Sequence, residues 1–477
     1  MHIAFVQMKG LGLSPEARAL FASYLRVYAG RPIGRTEVQA LSVGLRQSTP
    51  VSNRALDELQ SRDFIRMARV AEGKGRPRDS LECTERLLER LAAEEGGAEQ
   101  CPLSHLVDQV LHPENQIQGL TSIATTSQAA LVDSPAHRKV TARKRLKGKA
   151  SATNRLLLAV LLCYADRFGV VRSTGFAALS DLTGLGRESL KAHLHKLNEL
   201  GLISHKIVGF SGSRLLGSWD TVYFLNLHHP SLVAMQPQLV TLVLQADKAS
   251  YGGQSTEAGK IISLADLSRG ARFDWSKHDL EFLGLTRDFD HLAAFFVPQR
   301  NLPGGVDAVA SALQFLLDGY ASRLLSTRWS QLSKDTFFVD EALMACAKAD
   351  FKPRSRSLML YDGVTEQCGG QFLYEVSFAL ACRLKQLLLP LEELAFDEMQ
   401  FQVLPPTNPV AYQGVRALLA LPKEQEFSGA CFVVQALRGE ATCERLEAIL
   451  AIDLDQRASY GLHTKFRALK RYGSSVS

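Results

Sequence analysis

A mainly α-helical protein with small β-ribbons is what this 477-residue sequence predicts. Three observations lead there. Apolar residues recur at helical spacing over most of the chain. Short β-prone runs punctuated by glycine follow a third helix twice in the first half, at residues 64–67 and 203–227. The second half is dominated by amphipathic Leu-, Ala- and Phe-rich stretches with no internal repeat. A 46% hydrophobic and 22% charged composition is that of an ordinary globular chain, and the length suits two to four domains. The expected organisation is a first helical module over 1–93, a linker with a basic tract over 94–150, and a second module over 151–230. A connector over 231–262 and an α-rich C-terminal domain over 263–477 complete it.

In the first module, residues 15–30, 36–44 and 49–62 read as three helices. Val51, Ala55, Leu56 and Leu59 form the buried stripe of the third, and Phe64, Ile65 and Met67 begin a strand. Thr49, Ser52, Asn53 and Arg54 are expected to point outward, as groups suited to phosphates or, for Asn53 and Arg54, to adenine and guanine edges. The stretch 72–78 is a Gly- and Pro-punctuated turn carrying Lys74, Arg76 and Arg78, the composition of a basic loop that enters a narrow minor groove. Residues 81–93 follow as a charged amphipathic helix.

Residues 94–137 lose periodicity apart from a short helix near 103–110 and read as a linker. Seven Lys and Arg then crowd into residues 138–149 with no acid, among them Arg143, Lys144 and Arg145. Such a block is ordinarily a solvated tract. Tethered between nucleic-acid readers, it would also add affinity through counterion release and let the two modules reach separate half-sites.

The stretch 154–227 is the most specific in the chain. Leu190, Leu194 and Leu197 recur at helical spacing and commit one face of a helix to a core. Its outward set is Arg187, Glu188, Ser189, Lys191, His195 and Lys196, short or cationic groups that reach base edges and phosphates. Gly184 and Gly186 sit in the turn before that helix, where the absence of a Cβ permits positive φ or a close approach. Gly201 ends it, and an apolar strand leads through a loop containing Gly209, Gly212 and Gly217 to a returning strand over 221–227. Lys206 and Arg214 on that ribbon would meet a phosphate backbone. His193 and His195, two apart on a helix, diverge and make no metal pair.

The turn, the Leu-x-x-x-Leu-x-x-Leu helix and the Gly-Leu-Ile exit resemble the winged helix-turn-helix superfamily, and residues 49–65 resemble a second, weaker copy. The resemblance implies a mainly α fold with small β-wings: two winged helix-turn-helix modules plus the α-rich C-terminal domain. It also implies double-stranded DNA as partner. Sequence-specific transcriptional regulators of bacterial type share this pattern. Tandem modules also resemble the replication initiators of plasmids and mobile elements, which are more compact than a chain with so long a linker. A DNA-processing enzyme is a third, lesser reading, and a winged helix used only for protein contacts is the bland one.

Charge distribution agrees with the nucleic-acid reading. Residues 1–230 carry a net +9 and residues 231–477 a net −3, so the excess of the overall +6 lies with the two modules. The eight cysteines show no CxxC spacing and read as reduced thiols. Cys83, Cys101, His105 and His112 are too irregular for a zinc site. No signal peptide or membrane span is legible, so a cytoplasmic, nucleoid-associated location is expected. Residues 251–260 miss the phosphate-loop pattern in spacing and in the residue after Lys260, and read as a flexible connector. No catalytic set, metal site or cofactor motif emerges, and the C-terminal domain is expected to serve a homo-oligomer or a protein partner. Helices are expected there at 279–296, 306–326, 340–349, 373–389 and 411–421.

Overall fold

The computed structural model describes residues 1–70, 78–95, 101–118, 149–172, 174–213, 215–235, 239–246, 256–267, 283–285, 292, 305–351, 363–406, 414–422, 429–437, 440–446, 449 and 452–462. The protein is mainly helical with small sheets. It divides into two compact units, residues 1–204 with 223–235, and residues 205–222 with 236–477.

The first unit begins with α1 (His2–Gln7) and α2 (Pro15–Tyr28). Ser14 caps α2 by accepting from the Ala17 amide at 3.3 Å, and Pro15 occupies the first turn, where a missing N–H costs nothing. A two-residue strand β1 (Ile33–Gly34), α3 (Arg35–Gly44) and α4 (Thr49–Ser61) follow. Strands β2 (Ile65–Val70) and β3 (Arg78–Cys83) form an antiparallel ribbon that β1 extends to a three-stranded sheet. Phe5, Phe21 and Phe64 meet edge to face at 4.9–6.3 Å and fix α1, α2 and the start of the ribbon around one core. Helix α5 (Glu85–Glu95) starts later than the sequence suggests, because Leu81 and Cys83 are spent as buried strand positions opposite Met67 and Ile65.

Helix α6 (Ser104–Leu111) lies inside the stretch read as linker, yet Leu106, Val107, Val110 and Leu111 are buried in the unit's core. Beyond it, α7 (Ala152–Cys163) is buried along all of its length, the signature of a helix surrounded by others. Strand β4 (Val170–Val171), α8 (Phe176–Thr183) and α9 (Arg187–Glu199) complete the second three-helix set. Strands β5 (Ile203–Ile207) and β8 (Val222–Leu225) form a sheet with β4 in the order β4-β8-β5.

The two helical sets are therefore parts of one unit, which overturns the expectation of modules swinging on a long tether. Two buried arginines supply the physical reason. Arg18, on α2, donates to the Asp181 carbonyl at the end of α8 (3.3 Å) and to the Met8 carbonyl (2.7 Å). Arg155, on α7, donates to the carbonyls of Val110 (2.8 Å), Gly44 (3.1 Å) and His112. Burial pulls both guanidinium pKa values down to about 10, with Asp181 opposing the shift at Arg18. Gly184 makes the packing sterically dependent on glycine: at φ +73° a Cβ there would lie 2.2 Å from the Leu13 carbonyl oxygen.

The second unit contains a hairpin, β6 (Phe210–Ser213) with β7 (Gly217–Trp219), and a five-stranded sheet. That sheet runs in the order β10-β11-β9-β12-β13, from β9 (Val240–Ala246), β10 (Gln400–Val403), β11 (Val415–Leu421), β12 (Cys431–Leu437) and β13 (Glu440–Leu446). All pairs are antiparallel except β9 with β12. Its α-helices among the described residues are α10 (Glu257–Leu267), α11 (Gly305–Arg328), α12 (Glu341–Asp350), α13 (Gly363–Leu388) and α14 (Leu454–Ser459).

Three expectations for this half need correction. The described residues of 231–262 are more than a connector, because β9 is the central strand of the sheet and α10 opens at the fully buried Glu257; residues 251–255 lie outside the described residues. In the expected helix over 411–421, the described residues from 415 on form strand β11, buried along its length, and its apolar run over 417–421 carries no helical period. The domain is accordingly helical around a sheet rather than α-rich alone. The expected helix over 279–296 lies largely outside the described residues.

Candidate nucleic-acid interface

Helix α9 is positioned from its apolar side. Leu190, Leu194 and Leu197 are all buried, as their spacing predicts, and Leu200 and Leu202 continue the core past its end. The opposite face is left outward. Arg187, Glu188, Ser189, Lys191 and His195 are exposed and Lys196 is half-buried. His193 turns away from this face: its Nδ1 lies 2.7 Å from Asn154 Oδ1, and burial lowers its pKa.

Charge on this face is largely self-compensated. Lys191 Nζ lies 2.7 Å from Glu188, Lys196 Nζ 3.0 Å from Glu199, and His195 Nε2 3.3 Å from the same Glu199. The bond from Lys191 holds the Glu188 carboxyl below its ordinary pKa. Exposed pairs of this kind are screened by solvent and exchange partners easily. Arg187, at the first position of the helix, is the cation that makes no ion pair among the described residues.

Helix α4 presents a second polar face. Thr49, Asn53 and Arg54 are exposed, with Arg54 Nε folded back onto the Pro50 carbonyl at 3.4 Å. Ser52, expected to point outward, is buried. It falls on the stripe of Ala55 and Leu59, and its hydroxyl faces Gln47, whose amide donates to the Glu16 carbonyl at 2.9 Å. On the adjoining ribbon, Arg66 is held by Glu82 at 2.6 Å. Lys74 and Arg76 lie outside the described residues, as do Arg143, Lys144 and Arg145, and Arg78 opens β3.

The second ribbon departs most from expectation. Residues 205–222 belong to the second unit, and the glycine-rich stretch is a packed hairpin rather than a flexible loop. Phe210, Leu215 and Leu216 are buried, and Trp219 meets Phe315 of α11 edge to face at 6.2 Å. Lys206 is exposed on β5, before the hairpin, and Arg214 lies outside the described residues.

Sequence reasoning missed the groups that join the two helical sets. The segment before α2 is gripped from both sides: the Gly10 amide donates to Asp181 Oδ1 at 3.1 Å, and the Ser14 amide to Glu58 of α4 at 2.7 Å. An arginine within the apolar run at Arg155 was the available signal, since a buried guanidinium demands several acceptors.

With this geometry in hand, comparison with protein-family models, curated proteins and solved structures finds no match. Among the described residues no helix is long and apolar enough to cross a membrane.

Proposed function

We propose that this chain is a sequence-specific DNA-binding protein that reads duplex DNA with α9 and α4. The observation that carries the reading is the amphipathic division of α9. A leucine stripe anchors it in the core, while Arg187 at its exposed start and Ser189, Lys191, His195 and Lys196 along it form a polar, base-reaching face. The net +9 of the first 230 residues supplies the sequence-independent attraction to phosphate. Transcriptional regulation is the role this reading favours first, with the second unit serving a homo-oligomer or protein partner.

A second role, initiation of plasmid or mobile-element replication, gains from one observation. The two helical sets lie in one compact unit joined through Arg18 and Arg155, in keeping with the compact form of such initiators.

The test is selection of bound duplexes from a random pool, followed by salt-titrated gel shifts with wild type and Arg187→Ala/Lys191→Ala. A selected consensus, lost in the variant, is expected; no enrichment, or equal affinity, would remove the DNA assignment. Promoter sites among those bound in the cell argue for a regulator, and iterated repeats beside an origin for an initiator.

A further inference from the structure

The first unit contains a cleft of about 230 Å³ where the end of α3, the segment after α6 and the lead into α7 converge. Three cations line it: exposed Arg46, partly exposed Lys149 and buried Arg155. Glu114 is the one acid among its lining residues, so the lining carries a net +2.

Donor capacity remains on these groups. Lys149 Nζ gives one hydrogen to Gln116 Oε1 at 2.5 Å, leaving two. The three carbonyl bonds of Arg155 leave two of its five N–H groups. Among the described residues no carboxylate pairs with any of the three cations. A buried guanidinium compensated only by carbonyl dipoles is stabilised further when an anion shares its surroundings.

We propose that this cleft binds a phosphate group. A phosphate monoester carries about −1.5 to −2 charge at neutral pH and several strong acceptor oxygens, which matches the lining better than a single carboxylate would. The volume holds that group with a small organic body and falls short of the range of about 300–1,000 Å³ usual for larger ligands. The phosphate could come from a free phosphorylated small molecule or, with one charge per group, from a DNA backbone. Arg46 stands three residues before α4, so either source seats charge beside the start of a helix assigned to DNA reading; this consequence, unlike the binding itself, rests on that assignment.

The test uses the full chain and the variant Arg46→Gln/Lys149→Gln, whose side chains lie at the surface and whose melting in chloride should match wild type. Inorganic phosphate is titrated calorimetrically against chloride of equal ionic strength. Saturable binding in wild type, weakened tenfold or more in the variant, is expected for a free ligand. In a second arm, the salt dependence of DNA affinity is compared. A slope smaller by about 2 in the variant, without binding of free phosphate, assigns the cleft to backbone phosphates. If wild type and variant agree in both arms, the proposal is overturned. Phosphate binding by a chain that binds no DNA leaves the cleft assigned and removes only the DNA reading.

Discussion

Arg155 donates from Nη1 to the carbonyl oxygen of Gly44 at 3.1 Å, joining α7 to the last turn of α3 across 111 positions of sequence. The same guanidinium accounts for the Val110 and His112 carbonyls at the end of α6. Replacement by methionine keeps most of the apolar stem and strands the Val110 and Gly44 carbonyls, while His112 keeps the Asn115 amide at 3.2 Å. Arg155→Met should cost about 2–6 kcal/mol, since each of the two unsatisfied buried groups costs about 1–3. Equilibrium urea unfolding measures it, and a loss under 1 kcal/mol would mean that the carbonyls find other donors.

Gly184 tests the same junction sterically. At φ +73°, with the Leu13 carbonyl oxygen 2.2 Å from where a Cβ would stand, Gly184→Ala must displace backbone rather than a pliable side chain. Gly186 has nothing within 4 Å of its would-be Cβ and no positive φ. Gly184→Ala is expected to lower stability by about 2 kcal/mol or more and Gly186→Ala by under 1, in thermal melts of the two variants side by side.

These residues also show what the sequence makes legible. Leucines at 190, 194 and 197 declare a buried stripe because helical period and burial coincide. The same logic misplaces Ser52, whose position three before Ala55 puts it on the buried stripe despite its polarity. It fails at Val415–Leu421, where a strand covered on both faces leaves no alternation to read. Arg18 and Arg155 lie beyond it for a different reason. Their acceptors are backbone carbonyls 163 and 111 positions away, and a carbonyl leaves no trace in side-chain pattern.

On the candidate DNA face, pairing predicts an order of effects. Lys191 is already balanced by Glu188, whereas Arg187 makes no ion pair among the described residues. Arg187→Ala should therefore cost more affinity than Lys191→Ala, about 1–3 kcal/mol if it reads a base. Asn53→Ala should relax preference at one position of the site, while Ser52→Ala, buried, should alter stability before specificity. Competition shifts with single-base variants of a selected duplex measure all four, and equal losses at Arg187 and Lys191 would contradict the ordering.

In the second unit, a buried charge cluster makes stability depend on pH. Arg416 bridges Asp318 at 3.1 and 3.2 Å and also binds Glu257, which Arg383 reaches at 2.8 Å. Gln314 Nε2 lies 2.9 Å from both carboxylates. Burial, with Glu257 beside it, pushes the Asp318 carboxyl up to about 7 against the pull of Arg416. Burial also raises Glu257, but Arg416 and Arg383 outweigh it, and its pKa falls below the ordinary value. A folded-state pKa above the unfolded one gives stability that is complete below about pH 4 and lost as pH rises through about 7, on the order of 4 kcal/mol. Glu257 works in the opposite sense: its contribution is present above pH 4.5 and is lost as pH falls below it. Asp318→Asn, which mimics the protonated acid, should flatten the decline between pH 5 and 8 at small cost. Glu257→Gln removes the carboxylate shared by two guanidinium groups and should cost about 3–5 kcal/mol at neutral pH. Urea midpoints across pH 5–8 separate the two, and a wild-type curve that rises through this range would show that Asp318 is ionised throughout.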